Sequence, residues 1–506
     1  MENYDARLSF LVQRVLYLVA ILLIAALLIL PLFFILHRQN DKQQEVIQPN
    51  PITYENQLPG TTAWELTNKA SFNSDRFADI EGYPWTESAI AGETLSFSVS
   101  TKSHSFTADI YRLGWYGGTG GRLMKSIPSI AGHFYPMPHM DPQTGLVDAK
   151  WPTSFTLTID PSWVTGIYIV KLIAANAKQN YIPFVIRSQR STAFVFIHGD
   201  NTDQAYNPWG GKSLYEFNSS NGKRAYKVSF NRPLANEGRP GSGELFAWEY
   251  PMIRYLEKQA YDLGYVSSVD TYTDANIFKK HAGVLIVGHH EYWTKESRDH
   301  LEAAINQGVN LAVFAGDTMG WQIRYEPSNS SQNRILVCYK DASLDPLTHK
   351  DNSHVTVGFR DSLIDRPVQS LLGSMSRGYF HGPGYPWVVA DASSWIFAGT
   401  NLKNGDSLPG LVGYEYDSVH KDYHVPAGLK IVAKSPVDGI DHPHDEADST
   451  LYTAQSGARV FNASTIQWSE GLDDYGSKTM HFSPVVNHSA QKITDNILEN
   501  FLSSNR

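Results

Sequence analysis

Cysteine is nearly absent from the 506-residue chain, which has Cys338 alone. A single cysteine can form neither an internal disulfide nor a cysteine-based zinc cluster. A secreted scaffold held together by disulfides is therefore excluded. A lone cysteine in an alternating strand segment is most often a small buried hydrophobe, and we expect Cys338 to be one.

Clustered positive charge is also lacking. The chain has 42 lysines and arginines against 51 aspartates and glutamates, a formal net charge of -9, and no block of Lys or Arg. This balance argues against nucleic acid or an anionic membrane surface as a partner. Aromatic residues are abundant, with 12 Trp, 27 Tyr and 23 Phe, which is typical of an ordered globular protein. The length is sufficient for two or three domains.

One long hydrophobic run is present, at residues 15–36. Its 22 residues carry no charge, and a run of this length can cross a hydrocarbon core of about 30 Å. No small-residue cleavage site follows it, so a cleaved signal peptide is disfavoured. The sequence predicts a tail at 1–14, a transmembrane anchor at 15–36 and a polar linker at 37–60. We therefore expect a single-pass membrane protein with its large domain on the extracytoplasmic side.

Residues 61–190 show short alternating runs. In "TLSFSVS", Leu95, Phe97 and Val99 share one face, and "SFTLTI" repeats the pattern. Gly, Pro and Ser turns separate these runs. The region is predicted to be a β-sandwich domain.

Residues 191–506 follow a different pattern. The runs "AFVFI", "GVLIVG" and "NLAVFAG" are continuously apolar, as strands buried on both faces are. Helical stretches such as "TKESRDHLEAAINQG" lie between them. The pattern predicts an α/β domain with a mostly parallel sheet and helices on both sides. The expected fold class is thus multidomain: transmembrane helix, β-sandwich, then α/β.

The motif "HHEYW" follows one of these apolar runs. It places His289, His290, Glu291 and Tyr292 at the carboxyl edge of a parallel strand, where open α/β sheets bind ligands. Adjacent strand residues face opposite ways, so the two histidines reach one ligand only if the turn rotates them. A purely structural role, satisfying backbone groups in the turn, is the alternative.

A second candidate lies at a helix start in "FAWEYPMIRYLEKQ". Pro251 fits the first helical position, which puts Tyr250 at the helix N-terminus and on the same sheet edge. The helix dipole favours a tyrosinate there, but not enough to ionise it at neutral pH. A bound trivalent metal would complete the deprotonation.

Several motifs in order resemble the N,N-dimethylformamidase large (beta) subunit-like family. They are "GVLIVGHHEYWTKESRDHLEAAINQGVNLAVFAGDTMGWQIR", "AYNPWGGKSLYEF", "ILVCYKDASLDP", "GTNLKNGDSLPGLVGYEYD" and "ARVFNASTIQWSEGLD". The resemblance covers nearly all of 191–500. It implies a class I glutamine amidotransferase-like fold without the usual cysteine nucleophile. It also implies a ferric ion held by two tyrosines and one glutamate.

By its place in the motif "HHEYW", Tyr292 matches one of the two tyrosine ligands that the resemblance implies. Tyr250 is the candidate for the other, with Tyr206 in reserve. The expected glutamate is missing, because the segment ahead of "FRD" offers Asp351 and His354 instead. Either of these replaces it, or Glu415 in "GYEYD" approaches from a later loop, or the iron site is lost.

These observations predict a metal-dependent hydrolase acting on the C–N bond of an amide. A ferric Lewis acid would polarise the carbonyl, and His290 or Glu291 would move a proton. A divalent-metal hydrolase using His289, His290 or His354 is a variant of this hypothesis. The rival hypothesis is a non-catalytic envelope module that binds a glycan or a protein. The resemblance also implies a small partner subunit, a separate chain whose identity the sequence does not give.

Overall fold

The computed structural model describes residues 50–71, 78–236, 239–328, 331–475 and 486–504. The N-terminal strands are β1 (Ile80–Pro84), β2 (Ser88–Ala89), β3 (Thr94–Thr101), β4 (Ser105–Leu113), β5 (Gly121–Ala131), β6 (Phe155–Thr158), β7 (Gly166–Ala174) and β8 (Gln179–Ile186). The later strands are β9 (Phe194–His198), β10 (Lys227–Ser229), β11 (Ala235–Asn236), β12 (Arg239–Pro240), β13 (Leu263–Ser267), β14 (Gly283–His289), β15 (Tyr292–Thr294), β16 (Asn310–Gly316), β17 (Trp321–Glu326), β18 (Ile335–Val337), β19 (Met375–Tyr379), β20 (Tyr385–Val388), β21 (Ser407–Val412), β22 (Glu415–Ser418), β23 (Lys430–Val437), β24 (Asp445–Thr453) and β25 (Arg459–Asn462).

Helices are fewer than strands in the described residues. The α-helices are α1 (Pro51–Glu55), α2 (Asp200–Tyr206), α3 (Tyr250–Lys258), α4 (Ser268–Thr273), α5 (Lys295–Ile305), α6 (Gln369–Leu372) and α7 (His488–Ser504). A π-helical turn at Leu245–Glu249 leads into α3. Single 3-10 segments lie at Tyr116–Gly118, Trp209–Gly211, Ser220–Gly222, Asn352–His354, Trp395–Phe397 and Ile466–Gly471.

Strands β1 to β8 form two sheets that share a core. One sheet has the order β1-β3-β6 and the other β2-β8-β7-β4-β5. The alternating residues of β3 point Phe97 at the facing sheet, where its ring meets Phe184 edge-on at 5.6 Å between centroids. Sequence alternation thus produces two sheets packed face to face.

A seven-stranded sheet lies at the centre of the later region, in the order β13-β9-β14-β16-β25-β24-β23. The first five strands are parallel to one another, β24 runs antiparallel to β25, and β23 runs antiparallel to β24. Successive residues of β14 face two different apolar clusters: Leu285 joins one with Phe314, and Ile286 joins the other with Val313. Burial on both faces explains why these strands read as continuous apolar runs.

The predicted fold class is wrong. The described chain is mostly β, with strands arranged in seven sheets. The continuous apolar runs account for the parallel strands between 194 and 316 only. Beyond residue 316 the described chain adds mainly strands and loops, and α6 is a helix of only four residues. The amidotransferase-like fold stays a prediction.

The membrane prediction is also corrected. Across the part of the chain that the structure describes, no helix has both the length and the apolar character needed to span a bilayer. The predicted tail, the anchor at 15–36 and most of the linker lie outside the described residues. A single-pass membrane protein is therefore not supported.

Residues Pro51–Arg506 form one compact unit. One apolar cluster contains Tyr111 and Ile167 from the sandwich strands together with Phe196 and Leu285 from the central sheet. The two predicted regions consequently share a core, and the boundary expected near residue 190 stays a prediction.

Candidate functional site

The carboxyl ends of β14 and β16 lie side by side and carry the site. His289 is paired in register with Gly316, and Asp317 follows directly. Gly288 has a φ of +80°, and a Cβ there would lie 2.5 Å from the Cβ of Trp248. A glycine at this position therefore lets the strand end turn beneath Trp248.

His289 is the centre of the site, with a fully buried side chain. Its Nδ1 lies 3.1 Å from Oε2 of Glu244. Its Nε2 lies 3.4 Å from a carboxylate oxygen of Glu415, 3.5 Å from one of Glu291 and 3.9 Å from one of Asp317. This Nε2 has no hydrogen-bond partner among the described residues.

The carboxylates set the electrostatics around this ring. Burial alone would lower the pKa of His289, but Tyr414, Glu415 and Glu244 outweigh it and raise that pKa well above its ordinary value. Burial and the charge of Asp317 raise the pKa of Glu415 well above its usual range. Burial alone would raise the pKa of Asp317, but the neighbouring His289 imidazole outweighs it and lowers that pKa below its usual range. Such opposed shifts are typical of carboxyl groups that share a proton.

Glu291 lies beside this group in a cluster of tyrosines. The Tyr206 hydroxyl donates to Oε2 of Glu291 at 2.9 Å, and the Tyr215 hydroxyl donates to Oε1 at 2.6 Å. The hydroxyl of Tyr292 donates to that of Tyr215 at 2.7 Å. Burial, followed by the charge of Glu291, raises the pKa of all three phenols well above 10. Each phenol therefore holds its proton and donates it.

Lys340 brings a positive charge to the same cluster. Its Nζ lies 3.5 Å from the ring centroid of Tyr215, 4.7 Å from that of Trp321 and 5.2 Å from that of Tyr292. Aromatic faces attract a cation at such distances. Burial lowers the pKa of Lys340, and the charge of Glu291 opposes that shift.

A cavity of about 190 Å³ opens onto the carboxylates. It is lined in part by Glu291, Asp317, Trp321, Arg360, Met375 and Ser376. Pockets for drug-sized ligands usually measure about 300–1,000 Å³. The cavity is therefore suited to a small molecule with a polar end.

The structure brings Glu291, Tyr292 and Glu415 to this site, and Tyr206 with them. His290 points elsewhere: its Nε2 lies 4.0 Å from Glu249, and burial lowers its pKa to about 4. This ring is therefore neutral, and it does not line the cavity. The two histidines face opposite ways, as strand geometry requires.

Tyr250 and His354 are not brought to the site. The Tyr250 hydroxyl donates to the backbone carbonyl of Gly120 at 2.6 Å, against the sandwich. His354 lies between Asp351, 2.6 Å from Nδ1, and Glu296, 2.8 Å from Nε2. Its side chain is one-third exposed. The four predicted metal ligands are thus not assembled.

Cys338 is buried, and burial raises the pKa of its thiol to about 12. A thiol in this state is a weak nucleophile. The residue packs with Tyr292 and Leu336 in one apolar cluster.

Four residues of the site were missed by sequence reasoning: Glu244, Tyr215, Asp317 and Lys340. Asp317 had a usable signal, because it follows the apolar run "NLAVFAG" and so lies at the same sheet edge as His289. The other three reach the site from loops and from the π-helical turn. No periodic pattern marks them.

Comparisons with known proteins agree on one family. The model of the "N,N-dimethylformamidase beta subunit-like, C-terminal" family matches residues 107–481. The N,N-dimethylformamidase beta subunit of Alcaligenes sp is 23% identical over 435 residues, which cover 71% of this chain and 55% of that protein. The protein of the same name from Paracoccus aminophilus is 22% identical over 399 residues, covering 64% and 52%.

This chain therefore spans about half the length of the curated relatives that it matches. Among solved structures, a cycloisomaltooligosaccharide glucanotransferase of Paenibacillus sp. is 12% identical. It covers 27% of this chain and 17% of its own, with a TM-score of 0.14. A score this low carries no argument about the fold.

Proposed function

We propose a function on the premise that this chain belongs to the N,N-dimethylformamidase beta subunit-like family, whose C-terminal model matches residues 107–481. The proposed activity is hydrolysis of the C–N bond of a small linear amide. The observation that carries it is the cavity of about 190 Å³ with Glu291 and Asp317 in its wall. The relatives are named for an amide hydrolase. The cavity volume suits a small linear amide.

Glu291 is the proposed catalytic residue, because it lines the cavity and His290 does not. Its carboxylate accepts a proton from water while the water oxygen attacks the amide carbonyl carbon. When the C–N bond of the tetrahedral intermediate breaks, Glu291 returns this proton to the nitrogen. The products are a carboxylic acid and an amine.

The surrounding residues position Glu291 and stabilise charge. Hydroxyl donation from Tyr206 and Tyr215 orients the carboxylate. Lys340, whose ammonium lies 3.5 Å from the Tyr215 ring centroid, adds a positive charge near the oxygen that becomes negative in the intermediate.

Metal dependence and ferric iron both stay predictions. The ligands predicted for iron were Tyr292, Tyr250, His354 and Glu415, and as a set they do not fit. Tyr250 and His354 have other partners, while the reserve ligand Tyr206 meets Glu291 together with Tyr215, so the tyrosines and glutamate that do come together are not the set predicted. No step above therefore depends on iron.

A partner chain is proposed as well. Both relatives are named as beta subunits, and this chain covers only about half of each. From the names of the relatives, we infer that catalysis in the cell involves at least one further subunit.

The first test is amine release from small N-alkyl formamides and acetamides. We expect the protein to release amine and Glu291→Gln to lose at least about 100-fold in rate, the usual contribution of a general base. Glu296→Gln is the matched control, because Glu296 lies on α5 and pairs with His354 outside the site. Equal rates for Glu291→Gln and the unchanged protein would contradict the assignment.

A further inference from the structure

We propose that the cavity beside Glu291 takes a small amide that carries a carboxylate, with Arg360 binding the carboxylate and the hydroxyl of Thr318 binding the amide. The proposal rests on the proposed amide hydrolysis and names the substrate class of the same site. Arg360 and Thr318 both line the cavity of about 190 Å³, together with Glu291 and Asp317. An acylated amino acid as small as N-formylglycine has the required groups.

Arg360 brings a positive charge that no described residue neutralises. Its side chain is exposed, and its guanidinium forms neither a hydrogen bond nor an ion pair within the described ranges. Arg366, farther along the same loop, instead pairs with Asp299 at 2.8 Å and with Glu302 at 2.9 Å. A guanidinium matches a carboxylate through two parallel hydrogen bonds. An unpaired arginine in a cavity wall therefore favours an anionic ligand of this shape.

The backbone fixes Arg360 relative to Thr318. The N–H of Phe359 donates to the carbonyl oxygen of Gly320 at 3.1 Å, so the residue before Arg360 is bonded to the segment that carries Thr318. Phe359 is itself buried, and the Arg298 guanidinium lies 4.7 Å from its ring centroid. The two polar groups of the proposed subsite are thus held together by a fixed main chain.

The hydroxyl of Thr318 is the second, independent observation. The residue is 1% exposed, and its Oγ1 has no hydrogen-bond partner among the described residues. On either side, the Asp317 N–H donates to Asp417 at 2.8 Å and the Met319 N–H donates to the His290 carbonyl at 2.9 Å. Buried polar atoms rarely lack partners, and a hydroxyl can donate to a carbonyl or accept from an N–H. An amide in the cavity would satisfy this hydroxyl.

The charges of the cavity set the orientation of the substrate. Glu291 and Asp317 would repel a substrate carboxylate, whereas Arg360 attracts it. The amide therefore lies toward Glu291, the proposed catalytic residue, and the carboxylate lies toward Arg360. Apolar side chains such as that of Met375 also line the cavity and suit the methylene group of such a substrate.

The first experiment measures binding to the full chain by calorimetry, with levulinate as the probe. Levulinate has the carbonyl-to-carboxylate spacing of N-formylglycine but no C–N bond to hydrolyse. Arg360→Gln should weaken its binding by about 10–100-fold, the usual effect of removing hydrogen bonds to a charged group. Arg366→Gln is the matched control and should bind as the unchanged protein does, because Arg366 is paired outside the cavity.

Turnover of two substrates of the same shape then tests specificity. In N-isobutylformamide, two methyl groups replace the carboxylate oxygens of N-formylglycine. Arg360→Gln should lower kcat/KM for N-formylglycine by about 10–100-fold and leave that for N-isobutylformamide within about 2-fold. Thr318→Val should lower kcat/KM for both substrates alike, by about 2–10-fold, because the amide is common to them.

Each outcome supports or overturns the proposal once circular dichroism has shown that the variants are folded. Protein that does not bind levulinate, or binds it equally well as Arg360→Gln, would leave Arg360 as a solvated surface residue and overturn the proposal. Equal affinity for acetate, which lacks the second carbonyl, would also overturn it, because the Thr318 side of the cavity would then not be involved. Levulinate binding that depends on Arg360, without hydrolysis of any amide, would support the carboxylate site while removing the proposed reaction.

Discussion

At the scale of single residues, the site depends on how much space Gly320 leaves. A Cβ at this position would lie 3.2 Å from Oδ1 of Asp317 and 3.4 Å from Cγ of Glu291. Gly320→Ala should therefore crowd the Asp317 carboxylate and lower amide turnover by at least about 10-fold, which corresponds to about 1.4 kcal/mol. Thermal unfolding should change little, because the neighbours belong to the cavity wall.

Gly358→Ala is the control for this prediction. Gly358 lines the same cavity, but its nearest new contact would be the Gly320 carbonyl oxygen at 3.5 Å, an ordinary van der Waals distance. Equal turnover for the two alanine variants would show that the substrate does not occupy the space between Asp317 and Glu291.

Glu470 provides a pH-dependent prediction away from the site. Both of its carboxylate oxygens lack hydrogen-bond partners among the described residues, and burial raises its pKa from 4.5 to about 8. The folded chain therefore binds this proton more tightly than the unfolded chain does. The resulting contribution to stability is complete below pH 4.5 and is lost as the pH rises through 8.

Glu470→Gln should remove the loss of stability that accompanies ionisation of Glu470 at high pH. We expect the variant to gain about 1–3 kcal/mol in free energy of unfolding at pH 8, since the charged form is no longer buried. At pH 4.5 it should match the unchanged protein. Urea unfolding at the two pH values measures the difference, and an identical change at both would argue against a buried neutral carboxyl.

At the scale of elements, strand β4 and helix α3 are joined by a buried ion pair. Arg112 donates to Glu257 from Nη1 at 2.9 Å and from Nη2 at 2.7 Å, and both side chains are 0% exposed. The Tyr265 hydroxyl donates to the same carboxylate at 2.9 Å. Glu257→Gln should cost about 3–5 kcal/mol of unfolding free energy, because it leaves a buried guanidinium uncompensated.

Urea unfolding of Glu257→Gln tests this junction. Glu446→Gln serves as the comparison, because the pair of Glu446 with Lys434 is about half exposed. An exposed pair contributes about 0–1 kcal/mol. Equal destabilisation by the two changes would mean that the Arg112–Glu257 pair does not hold β4 against α3.

Elements whose sequence follows one period were predictable. The alternation of β3 and the apolar runs of β14 and β16 are such patterns, and Thr294 caps α5 by accepting from the Ser297 N–H at 3.0 Å. Strands β19 to β24 were not predicted, because their burial is irregular along the chain. Their positions depend on packing against the central sheet, which the local sequence does not encode.

The residues of the site also divide into those that the sequence predicts and those that it does not. Glu291 and Tyr292 follow a strand end, so topology alone predicts their location. Tyr215 and Lys340 reach them from distant loops, and only the folded chain places the Lys340 Nζ 3.5 Å from the Tyr215 ring centroid. The prediction for Tyr250 was wrong for a related reason. Helix α3 begins at Tyr250, and the hydroxyl of Tyr250 donates to the Gly120 carbonyl of the sandwich instead of reaching the site.

At the scale of the whole molecule, residues 51–506 form one unit in which sandwich and central sheet share apolar residues. The cavity and its carboxylates lie in the region that the family model matches, 107–481. The amide-hydrolase proposal therefore concerns the part of the relatives that this chain matches.

The most direct measurement of the central claim is product analysis in water enriched in oxygen-18. The protein is incubated with a panel of small N-alkyl formamides and acetamides. Mass spectrometry then measures the amounts of acid and amine and the oxygen-18 content of the acid. We expect one labelled oxygen in the acid, an equal amount of amine, and neither product above background with Glu291→Gln. No acid from any amide, or equal label with Glu291→Gln, would contradict it.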